Sequence, residues 1–154
     1  MATPQDVVDR MLALARVTSR DVVYDLGCGD GRIVITAARR YGARGVGVDI
    51  DPLLLDRARA AAAAAGVSQL VDFRLQDALT VDVAPASVVA LYLLREGNRQ
   101  LRPILTGRLR RGARIVSHSF DLGAEWPPRK RKTFYDSEGI PRVIFLWKAD
   151  GKVH

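Results

Sequence analysis

The chain has 154 residues, enough for one domain with its own core, and we expect that domain to span residues 1–154. Its residues are 48% hydrophobic and 27% charged, which is typical of a globular protein and excludes a largely disordered chain. The net charge is +7, but 20 of the 24 basic residues are arginine. Because alanine is also abundant, a GC-rich genome explains the charge, and we expect no nucleic-acid partner.

The sequence favours a cytoplasmic location. Its first residues lack the basic start and apolar core of a secretory signal. No apolar stretch approaches the roughly 20 residues that a membrane span needs. Cys28 is the only cysteine, so the chain forms no internal disulfide, which fits a reducing compartment.

The predicted elements begin with an amphipathic helix at residues 4–16, where a Thr-Pro start precedes apolar residues at helical spacing. Strands and helices then alternate. The predicted strands are 21–26, 44–50, 70–75, 87–93 and 113–120, and the predicted helices are 32–41, 52–65 and 96–110. Two β-rich runs around "SEGIP" predict a closing hairpin over residues 132–148.

This alternation predicts an α/β fold whose parallel sheet binds ligands beyond the carboxyl ends of its strands. Residues 20–120 would form the ligand-binding core. Too little chain separates the fifth strand from the hairpin for the usual helix, so "DLGAEWPPRKRK" should be a loop. The missing helix leaves one face less covered, and both a monomer and a dimer are compatible with that.

A glycine turn follows the first strand, in "VVYDLGCGDGR". Gly27, Gly29 and Gly31 permit a sharp turn and the close approach of a ligand to the backbone. Asp25 and Asp30 make a poor cradle for a pyrophosphate, so the turn does not favour a dinucleotide. They suit a ligand with positive charge. S-adenosylmethionine carries an ammonium and a sulfonium and no phosphate.

Two further acids follow the next strands. Asp49 ends the second strand, where a carboxylate can accept both hydroxyls of a ribose. Asp77 follows the third strand and can accept from an exocyclic amine such as that of adenine. Acids and glycines after three successive strands therefore predict a nucleoside site.

The segments "VYDLGCGDGR", "GVGVDID" and "LQDA" resemble the three cofactor motifs of the class I, seven-stranded S-adenosylmethionine-dependent methyltransferases. The resemblance implies a Rossmann-like doubly wound sheet in the order 3-2-1-4-5-7-6, with the last strand antiparallel. It also implies S-adenosylmethionine as the cofactor. Asp25 and the backbone of Gly27 and Gly29 would hold the methionine part, Asp49 the ribose and Asp77 the adenine amine. The remaining predicted cofactor residues are Cys28 (as a small space-filler), Asp30, Arg32, Ile50, Ala78 and Tyr92.

The segment after the fourth strand bears on the methyl acceptor. Enzymes that methylate nucleobase amines carry an [Asn/Asp]-Pro-Pro-aromatic motif there, whereas this chain has "LYLLREGNRQ" with Tyr92 at the Asn/Asp position. Together with the early helix and "GARIVSHSF", this stretch is similar to the small protein lysine methyltransferases and their bacterial relatives. That resemblance implies a lysine side chain of a protein as the acceptor.

Two alternatives stay open. One is a methyltransferase for a small molecule with an oxygen, nitrogen or sulfur acceptor, but such enzymes usually carry inserted lid segments that this chain lacks. The other is a regulator or scaffold that binds the cofactor without turnover.

We assign two catalytic candidates and no metal site. Tyr92 would line an aromatic slot that favours a neutral amine, with Trp126, Phe134 and Tyr135 as further candidates for its walls. His118 could relay a proton or hydrogen-bond the acceptor, although a histidine paired with the backbone is the simpler interpretation. The basic residues 129–132 fit a solvated edge, and they could also steer an acidic partner.

Overall fold

The computed structural model describes residues 3–154. Within that range, four α-helices flank one seven-stranded sheet. The strands are β1 (Val22–Leu26), β2 (Arg44–Asp49), β3 (Val71–Leu75), β4 (Val88–Leu91), β5 (Arg114–His118), β6 (Lys130–Tyr135) and β7 (Pro141–Lys148). The helices are α1 (Gln5–Leu14), α2 (Arg32–Tyr41), α3 (Pro52–Ala64) and α4 (Arg95–Arg108), and a short 3-10 turn covers Ala78–Thr80.

The strand order is β3-β2-β1-β4-β5-β7-β6, with the first five strands parallel and β7 antiparallel to β5. This confirms the predicted topology and the N-terminal helix. Side chains of α1, α2 and α3 form one core cluster with one face of the sheet, and side chains of α4 form a second cluster with the other face. The parallel strands β1, β2, β3, β4 and β5 therefore all end at the same edge.

Two glycines in β2 bring the α2 layer close to the sheet. A β-carbon on Gly45 would lie 2.8 Å from Cβ of Val34, and one on Gly47 would lie 2.9 Å from Sγ of Cys28. Neither position has room for a side chain, so the glycines allow close packing above this strand. Cys28 is buried in the same contact, consistent with a space-filling role.

The helix expected to be missing is absent from residues 119–129, which connect β5 to β6 without a helix or strand. The predicted loop nevertheless ends too late. Residues 130–132 already belong to β6, because they pair in register with Leu146, Phe145 and Ile144 of β7. Alternating side chains then place half of the basic run on each face of an edge strand.

Among residues 3–154, no helix is both long and apolar enough to cross a membrane. The cytoplasmic location and the domain boundaries stay predictions of the sequence.

Candidate functional site

The glycine turn forms the bend between β1 and α2. Gly27, Gly29 and Gly31 all have positive φ, at 82°, 55° and 81°, a region that other residues adopt only with strain. The backbone N–H groups of Gly27 and Cys28 donate to the carbonyl of Val48, at 2.9 and 2.8 Å, which fixes the turn to the end of β2.

Asp49 joins the turn to β2 a second time. Its Oδ2 accepts from the backbone N–H of Gly29 at 2.9 Å, and its Oδ1 accepts from that of Asp51 at 3.0 Å. Asp51 in turn caps α3 by accepting from the N–H of Leu53 at 2.9 Å. The structure thus separates the two neighbouring acids, because Asp49 faces the turn and Asp51 serves the helix.

A cleft of about 370 Å³ opens beside Asp49 at the carboxyl edge of the sheet. Ile50 and Asp77 lie on it, and Ile50 is 75% exposed although its side chain is apolar. Asp77 caps the 3-10 turn by accepting from the N–H of Leu79 at 2.9 Å, which uses Oδ1 and leaves Oδ2 for another donor. The cleft is lined by Gly27, Val48, Asp49, Ile50, Gln76, Asp77, Ala78, Leu79, Leu93, Gly97, Gln100 and Leu101.

The sequence reasoning missed the wall that α4 contributes. Leu93 lies just beyond β4, and Leu101 lies on the inner face of α4; both line the cleft. The predicted fourth strand extends to residue 93, whereas β4 ends at Leu91. The prediction therefore places Leu93 inside a strand and does not identify it as a cleft residue. The apolar residues that follow β4 in the sequence are the feature that could have indicated this wall.

A smaller cavity of about 50 Å³ lies on the other side of the turn. Asp25 is 2% exposed and lines this cavity together with Tyr92 and Thr3. Burial, with the nearby carboxylates of Asp49 and Asp30, raises the pKa of Asp25 to about 7. Positive charge placed in this cavity would favour the ionised carboxylate.

Asp30 is not a free acid. Its carboxylate forms an ion pair with Arg32, with Nη2 and Oδ2 at 2.6 Å, and these hydrogen bonds hold the pKa of Asp30 below its usual value. Arg32 also donates from Nη1 to the backbone carbonyl of Thr3 at 3.0 Å. The ion pair therefore holds Thr3, the first described residue, at the wall of the small cavity. The sequence did not indicate that Thr3 lines this cavity.

Tyr92 and His118 lie together at the ends of β4 and β5. Their rings stack with centroids 4.4 Å apart, and Nδ1 of His118 lies 3.4 Å from Oγ1 of Thr3. His118 is fully buried, and its Nε2 has no hydrogen-bond partner among residues 3–154. Burial, and secondarily the charge of Arg142, lowers the pKa of His118 to about 4. The imidazole is thus neutral at pH 7, and its partner is the side chain of Thr3 rather than the backbone.

The other aromatic candidates do not surround Tyr92. Trp126 is buried, and its ring stacks on His154 at 4.9 Å within the core cluster on the α4 face. Phe134 packs in the opposite cluster beneath Arg10, whose guanidinium carbon lies 4.2 Å from its ring centroid. Tyr135 is 73% exposed on the edge strand. Of these four aromatic residues, only Tyr92 lines the small cavity.

The residues that line the two cavities suit the chemistry of the two halves of S-adenosylmethionine. The larger cleft combines apolar walls with the carboxylates of Asp49 and Asp77, which suits an adenosine group. A β-carbon on Gly29 would meet no atom within 4 Å, so the turn leaves open space against its backbone. The buried carboxylate of Asp25 suits the ammonium of the methionine part. Bound there, the cofactor supplies an electrophilic methyl group on its sulfonium.

The strand order, the glycine turn and the acids at the strand ends define a class I S-adenosylmethionine-dependent methyltransferase. Comparison of the chain with known protein families agrees with this class and narrows it to one family. The model of the ANTKMT methyltransferase domain matches residues 25–130, and the chain belongs to that family. S-adenosylmethionine is its cofactor.

Three relatives illustrate the likeness. The chain is 41% identical to a protein-lysine N-methyltransferase of Saccharolobus islandicus, over 83% of this chain and 80% of that protein. It is 36% identical to the adenine nucleotide translocase lysine N-methyltransferase of Mus musculus, over 79% of this chain and 52% of the mouse protein, so it spans about half of that relative. It is 50% identical to a crystal structure described as an RNA methyltransferase of Salinibacter ruber in complex with S-adenosyl-L-homocysteine. The two folds match with a TM-score of 0.91, over 100% of this chain and 97% of that one.

Proposed function

We propose that this enzyme methylates the side-chain amine of a lysine on a protein. The observation that carries the proposal is the 41% identity to a protein-lysine N-methyltransferase over most of both chains. The family match over residues 25–130 is consistent with it. The mouse relative named for lysine methylation lends further support.

The segment after β4 agrees with this acceptor. It reads Leu91-Tyr92-Leu93-Leu94 and has neither the acidic or amide side chain nor the prolines typical of base-methylating enzymes. Among residues 3–154 no inserted lid covers the carboxyl edge, and such an open edge suits an acceptor that belongs to a large molecule.

A lysine amine must lose its proton before it can attack the methyl group. With a pKa near 10.4, this costs about 4–5 kcal/mol at neutral pH. A partly desolvated site reduces the cost by favouring the neutral amine. Tyr92 is the side chain placed to provide such a surface beside the small cavity. Alignment of the amine with the methyl group can supply a further 7–11 kcal/mol, roughly.

We assign His118 a positioning role in this proposal. A fully buried imidazole with a pKa of about 4 is a weak base at pH 7 and lies behind the ring of Tyr92. It therefore acts on an acceptor through Tyr92, whose plane it fixes by stacking.

An RNA acceptor is the second candidate. The Salinibacter ruber structure described as an RNA methyltransferase is 50% identical and covers the whole chain, and the net charge of +7 is compatible with RNA. A small-molecule acceptor has less support: the geranyl diphosphate C-methyltransferase of Streptomyces coelicolor is 14% identical, and this likeness concerns the fold alone.

One labelling experiment separates these acceptors. The enzyme is incubated with methyl-labelled cofactor and an extract from a strain that lacks the gene. Label that survives nuclease, is released by protease and co-elutes with methylated lysine after acid hydrolysis supports the proposal. Label that is lost on ribonuclease treatment moves the assignment to RNA, and label confined to the small-molecule fraction moves it to the third class of acceptor.

A further inference from the structure

Strand β6 is an edge of the sheet with exposed hydrogen-bonding groups. It pairs with β7 on one side, and no strand among residues 3–154 pairs with its other side. Such an edge presents unpaired backbone N–H and C=O groups. An extended peptide can pair with these groups and so add one strand to the sheet.

One face of this edge also lacks a cover. Thr133 and Tyr135 pair in register with Val143 and Pro141, and these four residues line a shallow cavity of about 400 Å³. Val143 packs against the core cluster on the α4 face, the face on which no helix lies between β5 and β6. The absent helix therefore leaves a small apolar surface next to an open strand edge.

The charge of the edge is of one sign. Residues 129–132 are four consecutive cations, all exposed, and residues 130–132 start the strand that borders the cavity. Two copies of β6 paired in a register that sets residues 130–132 against one another would oppose cations to cations, which disfavours that pairing of two copies of this chain. An acidic segment would complement the charge. Backbone pairing favours a peptide over RNA.

The position of β6 connects this surface to the methyl-transfer site. β6 runs parallel to β5, since each is antiparallel to β7, so its last residue, Tyr135, lies at the same edge of the sheet as His118. Three strand spacings separate β6 from β4, where Tyr92 follows the strand. A segment paired with the outer edge of β6 lies one spacing further out, so four spacings at about 4.8 Å give roughly 19 Å, or about six extended residues.

We propose that β6 and the cavity of Thr133, Tyr135, Pro141 and Val143 dock an extended acidic segment of the acceptor protein, about six residues from the target lysine. This docking surface rests on the proposed lysine methylation, for which it supplies a substrate-binding site. Acidic side chains of the segment meet residues 129–132, its backbone pairs with the edge of β6, and an apolar side chain occupies the cavity.

The test uses a fluorescent lysine-free peptide in which glutamates alternate with leucine or valine, so that binding is measured without turnover. Fluorescence anisotropy is compared for wild type, Arg131→Glu/Lys132→Glu and Tyr135→Ala. The matched control is Arg110→Glu/Arg111→Glu, which changes the net charge equally on two exposed residues before β5, at the opposite edge of the sheet. S-adenosylhomocysteine binding checks that each variant is folded.

We expect the Kd of the peptide to rise at least about fivefold in Arg131→Glu/Lys132→Glu and about threefold in Tyr135→Ala, and to change less than about twofold in the control. No binding by wild type, or equal losses in the edge and control variants, would overturn the docking surface. So would tighter binding of single-stranded RNA that is lost in the edge variant, or a wild-type dimer in sedimentation that the edge variant dissociates. Absence of methylated lysine in the labelling experiment would instead overturn the proposed function and leave the peptide result standing.

Discussion

The carboxylate of Asp49 accepts a hydrogen bond from the backbone N–H of Gly29 at 2.9 Å. The acid at the end of β2 therefore holds the glycine turn that follows β1, and it does so from the rim of the larger cleft. Each carboxylate oxygen can accept more than one hydrogen bond, so the contacts to Gly29 and Asp51 leave capacity for the hydroxyls of a ribose. Cofactor binding and the shape of the turn depend on the same side chain.

Replacement of Asp49 by alanine should weaken cofactor binding more than replacement of Asp51. Losing hydrogen bonds to a charged acceptor costs about 1.5–3 kcal/mol each, so we expect at least a tenfold loss of affinity for S-adenosylhomocysteine in Asp49→Ala. Asp51→Ala should mainly lower the free energy of unfolding, by about 1 kcal/mol, because it removes the cap of α3. Calorimetry and thermal unfolding of both variants measure the two effects. Equal losses of affinity would refute the assignment of the ribose to Asp49.

Two glycines of the turn should respond differently to alanine. A β-carbon on Gly31 would lie 2.8 Å from the ring of Phe73, so Gly31→Ala adds overpacking to the strain of positive φ, together about 2–4 kcal/mol of stability. A β-carbon on Gly29 would meet no protein atom, and Gly29→Ala should cost only about 1–2 kcal/mol. It should nevertheless reduce cofactor affinity, because the methyl group fills space beside the backbone that the ligand needs. Retained affinity in a folded Gly29→Ala variant would place the cofactor elsewhere.

Binding of the cofactor should release a proton from Asp25. The pKa of this buried acid is about 7 in the structure, so at pH 6 it is mostly protonated, and an incoming ammonium favours the ionised form. We expect close to one proton released on binding S-adenosylhomocysteine at pH 6, little at pH 8, and none in Asp25→Asn. Calorimetry in buffers of different ionisation enthalpy counts the protons. Because folding raises this pKa, Asp25 also lowers stability as pH rises from about 4 to 7.

His118 should make the fold sensitive to acid. Its pKa falls from the usual 6.5 to about 4 on folding, so the unfolded chain binds a proton that the folded chain does not. The contribution of His118 to the free energy of unfolding is fully present above pH 6.5. It decreases by up to about 3 kcal/mol as the pH falls towards 4. Asp25 contributes the opposite pH dependence in both proteins, so the difference between the two curves isolates His118: in denaturant titrations between pH 4 and 7, the free energy of unfolding of wild type minus that of His118→Gln should increase with pH. Parallel curves would contradict the assignment of this shift to His118.

Much of the fold and of the candidate site follows from local patterns. The turn after β1 and the acids after β2 and β3 were predicted from the sequence because each depends on neighbouring residues and on the rule that parallel strands end at one edge. Trp126 shows where that logic stops. Its loop could wall an open slot or fold into the core, and only its contacts with Trp147 and His154 decide for the core.

Two contacts between segments that are distant in the sequence were not predicted. The ion pair of Asp30 and Arg32 is local, but its use in holding Thr3 joins two segments 29 residues apart in the chain. The stack of Tyr92 on His118 depends on β4 and β5 being neighbours. Sequence periodicity fixes neither contact, since both depend on how elements pack.

Tyr92 is the aromatic residue that lines the small cavity beside Asp25. We expect Tyr92→Ala to leave affinity for S-adenosylhomocysteine within a few-fold and to depress kcat strongly, because alignment of the acceptor matters in the transition state. Tyr92→Phe keeps the ring and its stack on His118, so it should retain most of the turnover if the surface rather than the hydroxyl is required. For a lysine acceptor the rate should rise towards alkaline pH as more amine becomes neutral, in wild type and in Tyr92→Phe alike.

Assays of both variants with the labelled extract, across a pH series, measure these effects. Unchanged turnover in Tyr92→Ala would remove the aromatic surface from the mechanism even if lysine proves to be the acceptor, whereas a loss in Tyr92→Phe equal to that in Tyr92→Ala would assign the role to the phenol hydroxyl.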